Sequence, residues 1–173
     1  MSKNTNNPVT YQVKSGEYVS FYHSSVGWFR LVATAHALRR IDHVQPPEDW
    51  QSHLSPKLAI FEETEKQLNE YFANKRTEFD LPLDPQGTAF QKQVWDVLIT
   101  IPFGKTVSYK DIAVKIDKPK GSQAVGQANG KNPISVVIPC HRVIGKNGSL
   151  TGYAGGLDRK SRLLALELAE TPH

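Results

Sequence analysis

Cys140 is the only cysteine among the 173 residues, and His141 follows it directly. A thiol beside an imidazole is the raw material of nucleophilic chemistry: the thiolate attacks carbon, and the imidazole takes the proton released when it forms. The competing reading is a small buried hydrophobe, the commonest role of a lone cysteine. The setting favours chemistry. Ser135-Val136-Val137-Ile138 reads as a short buried strand, Cys140 stands where it leaves into a loop, and Gly145, Gly148, Gly152, Gly155 and Gly156 follow in a stretch that other backbone can approach. Adjacent side chains on an extended strand point to opposite faces, so contact between Cys140 and His141 needs a bend or a bridging water. On a helix expected over 158–169, Leu163, Leu164 and Glu167 lie three and four residues apart, which puts a carboxylate on an otherwise apolar face. Glu167 either orients His141 as the third member of a relay or pairs with a nearby cation such as Arg142, and periodicity favours neither.

One cysteine also excludes an intrachain disulfide and a cysteine-based zinc cluster, so Cys140 acts as a thiol. His23, His36, His43 and His53 have no ligand-like spacing, and no metal is expected.

The elements that must position these groups follow from pattern. Residues 1–10 are small and polar. Three β-like stretches at 18–23, 28–33 and 38–44 are spaced for an antiparallel meander. Pro46-Pro47 closes that unit, and Ser55-Pro56 opens a helix to about Asn74 with Leu58, Phe61, Leu68 and Phe72 near helical period. Leu81-Pro82-Leu83-Asp84-Pro85 is extended, because proline biases its predecessor away from the helical region. The domain boundary is placed there, with 1–84 as an N-terminal α/β scaffold and 85–173 as a mostly helical C-terminal unit. The fold class is therefore α+β.

In the second unit Thr88 caps a helix carrying Phe90, Val94, Val97, Leu98 and Ile101 that ends at Pro102. Ser108 and Asp111 form a capping-box pattern ahead of a helix with Tyr109, Ile112, Ala113 and Ile116 on one face. After a basic turn, Ser122 is expected to cap a short helix of small residues ending at Gly130. Two short helices joined by a tight turn make a helix-turn-helix pattern, although Gly and Ala there equally permit tight helix packing.

Charge separates the same two units. Residues 1–84 hold 9 Lys/Arg against 11 Asp/Glu, whereas 85–173 hold 12 against 6, so the net +4 is entirely C-terminal. Within 105–146 there are eight basic and two acidic residues, which suits either a polyanion partner or a solvated lysine face. The 39% hydrophobic and 22% charged content excludes disordered and fibrous classes. No apolar run approaches the roughly 18 residues of a membrane span, and residues 1–10 lack an apolar signal core, so a cytoplasmic location is expected.

Pro139-Cys140-His141-Arg142-Val143-Ile144-Gly145, with Gly152-Tyr153-Ala154-Gly155-Gly156-Leu157 and Leu164-Ala165-Leu166-Glu167, resembles the O(6)-alkylguanine-DNA alkyltransferases. Residues 90–95, Val107-Ser108-Tyr109 and Gly130-Lys131-Asn132-Pro133 support this in family order and spacing. The resemblance covers essentially all of 85–173. It is looser in the N-terminal half, where the strand-strand-strand-helix layout and Leu31-Val32-Ala33-Thr34 carry it. It implies an RNase H-like N-terminal domain and a winged-helix-like C-terminal domain.

The function implied is DNA repair by single, self-inactivating transfer of an alkyl group from O(6)-alkylguanine, and also O(4)-alkylthymine, to Cys140 after base flipping from the minor groove. No cofactor is implied, and the protein is expected to be a monomer, with cooperativity on DNA left open. By the same resemblance Cys140 is the alkyl acceptor, His141 its base through water, Glu167 the relay partner and Asn132 the brace of the active-site turn. Tyr109 contacts the flipped base and nearby phosphate, Tyr153 walls the pocket, and backbone at Cys140, Val143 and Ala154 reads the guanine edge. Ser122, Gln123, Ala124, Gly126, Gln127, Asn129, Gly130 and Lys131 face DNA. Gln123 departs from the family, which usually carries an arginine there to fill the gap left by the flipped base, and Ala154 is often serine.

On residue chemistry alone Tyr109 is equally a core tyrosine, Tyr153 a loop anchor and Asn132 a turn residue. Two other readings compete: a non-enzymatic lesion-binding protein of the alkyltransferase-like kind, against which Cys140 argues, and a Cys-His hydrolase, which also needs an oxyanion hole.

Overall fold

In the computed structural model, which describes residues 13–169, apolar alternation in the first strands builds a three-stranded antiparallel sheet. β1 (Tyr18–Ser24) pairs with β2 (Gly27–Ala33), and β2 with β3 (Leu38–His43), so β2 is central. Register begins at Ser24 opposite Gly27, whose φ of 108° closes the two-residue hairpin loop without a Cβ penalty. One sheet face gives Tyr22, Phe29, Leu31, Ala33, Leu38 and Ile41 to the main core. The other buries Val19, Phe21, Val32 and Val44 beneath Trp28 and Trp50, the latter on a 3-10 turn (Trp50–His53) that the sequence pattern did not disclose.

α1 (Ala59–Phe72) starts three residues after Pro56 and lays Ile60, Phe61, Leu68 and Tyr71 into the core. It ends with Asn74 at φ 58° and a Lys75 N–H to Glu70 carbonyl bond of 2.8 Å, a Schellman closure that accounts for the earlier stop. α2 (Ala89–Ile99) carries the expected Thr88 capping box with Gln91. A Cβ at Gly87 would lie 2.4 Å from the Trp95 ring, so Trp95 packs there only because Gly87 has none. β4 (Val107–Ser108) leads into α3 (Tyr109–Lys115), whose capping box joins Ser108 and Asp111 as expected. α4 (Ser122–Gly130) packs against both α2 and α3, and Trp95 Nε1 donates to the Ala128 carbonyl at 2.9 Å.

Two expectations are corrected. Ser122 is not the cap of α4: Gly121 holds that position, tied by its N–H to the Lys118 carbonyl at 2.7 Å, and no side chain caps the helix. Residues 135–138 are not a strand. The Val137 N–H bonds the Ser135 carbonyl at 2.9 Å around Val136, whose φ is 73°, and the Ile138 N–H returns to Ile134 at 3.0 Å. Burial of Val136 and Ile138 made the segment read as a strand, but their backbone groups are satisfied locally within a turn.

That turn is docked on the sheet. The Ile41 N–H bonds the Pro133 carbonyl and the Ser135 N–H bonds the Ile41 carbonyl, while Leu38 exchanges 2.8 Å bonds with Pro82 and Asp84. The free edge of β3 is thus continued by Leu83 and by Ile134. A 3-10 turn (Cys140–Arg142), β5 (Val143–Ile144) parallel to β4, and α5 (Leu157–Ala169) complete the described chain.

Candidate active site

Cys140 sits at the start of its 3-10 turn, 4% exposed. The preceding Pro139, at φ −82° and ψ 63°, makes an inverse γ-turn in which the Cys140 N–H bonds the Ile138 carbonyl at 2.8 Å. Val136 adds a second tight turn with a β-branched residue in the left-handed region, a conformation that costs about 1–3 kcal/mol and persists only under strong constraint. Asn132 supplies part of that constraint: its Nδ2 donates to the Ile138 carbonyl at 2.7 Å and its Oδ1 accepts from the Ile134 N–H at 3.0 Å. Asn132 therefore spans the turn from inside.

Because the chain turns at Cys140, His141 points into the protein and is fully buried. Its Nε2 lies 2.5 Å from Glu167 Oε2, and its Nδ1 has no hydrogen-bond partner among the described residues. Glu167 meets both sequence-based alternatives at once. It bonds His141, and it also accepts from Arg142 Nε at 2.7 Å, from the Gly104 N–H at 3.1 Å and from the Tyr71 hydroxyl at 2.7 Å. Arg142 is held further by a 2.6 Å bond from Nη1 to the Ile101 carbonyl.

The electrostatics divide the labour. Burial works to raise the Glu167 carboxyl, but its bonds to His141 and Arg142 and the Arg142 charge outweigh that and hold it at about 2. Burial lowers His141 in spite of Glu167, so the imidazole is neutral at pH 7 and the cation that neutralises Glu167 is Arg142. Burial pushes the Cys140 thiol up to about 11, against the Asn132 hydrogen bond and the charge of Lys160, which favour the thiolate. At rest the site holds a protonated thiol and a neutral imidazole with one nitrogen free.

Lys160, absent from the sequence reading, is fully buried and donates to the Val143 carbonyl at 2.6 Å and the Thr151 carbonyl at 2.7 Å. The signal was present in the chain: Lys160, Leu163 and Glu167 lie at i, i+3 and i+7 and form the buried face of α5. Tyr71 was missed because it comes from α1, 96 residues away in sequence from Glu167.

The remaining expected residues divide between pocket wall and surface. Tyr109, at the start of α3, is half-buried, lies across Gly126 and shares a 2.7 Å hydrogen bond with Thr151. Val143 is buried on β5, whereas Ala154 is exposed in the loop before α5. The Tyr153 hydroxyl lies 2.6 Å from His43 Nε2 on β3. Along α4, Gln123, Ala124, Gln127, Gly130 and the following Lys131 are exposed, and Ser122 and Gly126 are half-buried. Asn129 does not belong to that face. It is buried, with Nδ2 3.4 Å from the Cys140 carbonyl, because the helix turn carries it toward the core beside Val125 and Ala128.

Comparison with known proteins agrees with this geometry. Residues 18–85 match the ribonuclease-like domain of 6-O-methylguanine DNA methyltransferase, and 89–169 match its DNA binding domain. A methylated-DNA--protein-cysteine methyltransferase of Methanosarcina barkeri is 46% identical over 156 residues, covering 87% of this chain and 96% of the relative. One of Mycobacterium bovis is 49% identical over 135 residues, 78% of this chain and 81% of the relative. The crystal structure of the Mycobacterium tuberculosis O6-methylguanine methyltransferase superposes with a TM-score of 0.81 at 44% identity, covering 90% of this chain and 95% of that one. The same bacterium's OGT in complex with DNA gives 0.79 at 44% identity, covering 88% and 93%. With both halves matched, in this order and to relatives of nearly the same extent, the chain belongs to the 6-O-methylguanine DNA methyltransferase family.

Proposed function

We propose that this protein repairs DNA by moving the alkyl group of O(6)-alkylguanine irreversibly onto Cys140. The observation that carries the residue assignment is the buried His141, fixed at Nε2 by Glu167 and left with Nδ1 unpaired next in sequence to the thiol. A water between Nδ1 and sulfur lets the imidazole take the thiol proton, and the imidazolium so formed is stabilised by Glu167. The thiolate then attacks the alkyl carbon, the S–C bond forms, and the C–O bond to guanine breaks. The proton lost by sulfur is balanced by one gained by the departing guanine, with the Tyr109 hydroxyl placed as its nearest donor. The product thioether is stable, so each molecule acts once and needs no cofactor. O(4)-alkylthymine undergoes the same displacement.

The DNA contacts follow from the exposed side of α4. Ser122, Gln123, Ala124, Gly126, Gln127, Gly130 and Lys131 approach the minor groove of duplex DNA, where small side chains allow close backbone contact. The flipped base enters between Tyr109 and Tyr153, and backbone at Cys140, Val143 and Ala154 reads its edge. Residues 1–84 serve as the scaffold and 85–173 as the DNA-binding and acceptor unit. The protein acts as a monomer in the reducing cytoplasm, where an unpaired thiol survives. Among the described residues no helix is long and apolar enough to cross a membrane.

Incubation with duplex DNA carrying O(6)-methylguanine, followed by intact mass measurement, tests the proposal. One added methyl group mapping to Cys140, absent in Cys140→Ser, is expected. Tight binding without added mass would instead identify a lesion sensor.

A further inference from the structure

The N-terminal sheet reaches the reactive pocket through a single imidazole. His43, the last residue of β3, places Nε2 2.6 Å from the Tyr153 hydroxyl, with the two rings edge-on at 5.2 Å and 75°. Its other side rests on Phe29 at 4.4 Å, so the ring is clamped between the sheet and the loop before α5. The loop is shaped to it: a Cβ at Gly155 would lie 2.5 Å from the His43 ring, closer than any side chain tolerates. Burial, Arg159 and His141 lower His43 to about 4 against the pull of Asp42, so it is an uncharged partner for Tyr153. Tyr153 in turn lies near enough to Cys140 to feel the charge of its thiolate, and its hydroxyl also meets Ser135.

We propose that His43 is a positioning residue for alkyl transfer, holding Tyr153 against the Cys140 pocket and thereby setting how large an alkyl group the pocket favours. This rests on Cys140 being the alkyl acceptor. The mechanical argument is direct. Tyr153 belongs to a glycine-flanked loop with little stiffness of its own, and its hydroxyl is the part that the sheet fixes. Without that bond the ring swings, the wall over a small methyl group loosens, and a bulky group loses less because it supplies its own packing.

Single-turnover rates with duplexes carrying O(6)-methylguanine or O(6)-benzylguanine test this in the full-length protein. His43→Phe keeps the ring volume and removes the hydrogen bond. It is expected to lower the maximal methyl-transfer rate about fivefold, the size of one net hydrogen bond, with the half-saturating DNA concentration unchanged. The ratio of benzyl to methyl rates should rise, and His43→Gln, which offers either hydrogen-bonding role, should restore both values. Tyr153→Phe should show the same loss, and His43→Phe combined with Tyr153→Phe should be no slower than either alone. Where His43→Phe does not fold, His43→Leu takes its place. A His43→Phe protein with the wild-type rate and ratio, or full additivity with Tyr153→Phe, overturns the proposal. Wild-type protein that gains no mass on Cys140 overturns the transfer reaction itself, a separate failure.

Discussion

Glu167 is the residue on which the site's energetics converge. It is 1% exposed, ionised, and shared between a neutral imidazole and a guanidinium. A buried carboxylate is tolerable only when paired, and removing one member leaves the other charge stranded at a cost of about 3–5 kcal/mol. Glu167→Gln is therefore expected to destabilise the fold by that order through Arg142, readable in chemical denaturation. It should also slow methyl transfer about tenfold to hundredfold, since an amide still orients His141 but no longer stabilises the imidazolium. Arg142→Met separates the two effects: its Glu167 remains to serve His141, but without its cation, so the loss falls more on stability than on rate. The single carboxylate on an apolar face made Glu167 legible from periodicity. Its partner could not be chosen there, because the structure uses His141 and Arg142 together.

At the scale of elements, legibility followed local chemistry. The capping boxes at Thr88 and Ser108 declared α2 and α3, since both partners lie within four residues of each other. Residues 135–138 misled because a buried apolar run has the same pattern whether its hydrogen bonds go to a neighbouring strand or back into a turn, and only the docking of Ile134 on Ile41 decides. Lys160, Tyr71 and the His43–Tyr153 contact escaped for a different reason. Each depends on a tertiary meeting between segments that no spacing rule connects. α4 carries the prediction at this scale. Gln123 is exposed on its first turn, where the family usually has an arginine to occupy the space of the flipped base. Gln123→Arg should speed reaction with alkylated duplex, because extrusion costs a few kcal/mol that the cation helps offset, and should leave reaction with free O(6)-benzylguanine unchanged. Equal duplex rates for the two proteins would dismiss the idea.

Over the whole molecule, buried ionisable groups set the response to acid. His43, at about 4, and His141, also lowered from 6.5, remain neutral in the fold while the unfolded chain takes up protons. The unfolded state then binds more protons, so stability is complete above pH 6.5 and declines as pH falls through the window down to about 4. Glu167, lowered from 4.5 to about 2, extends the loss: its contribution is complete above 4.5 and disappears as pH falls toward 2. Denaturant midpoints measured at intervals from neutral pH to about pH 4 should fall steadily, and His43→Gln should flatten the upper part of that slope.

The two bridges on β3 have a consequence for how far the halves can be separated. A three-stranded sheet with one edge left open presents unpaired N–H and C=O groups to any other strand, and so invites self-association. Here that edge is sealed by Leu83 just before the boundary and by Ile134 well beyond it. A chain cut after residue 84 keeps the first seal and loses the second, exposing Ile41 as a sticky edge. The protein's solubility is thus written partly into its reactive turn, and the same hydrogen bonds that fix the chemistry protect the scaffold from its own copies.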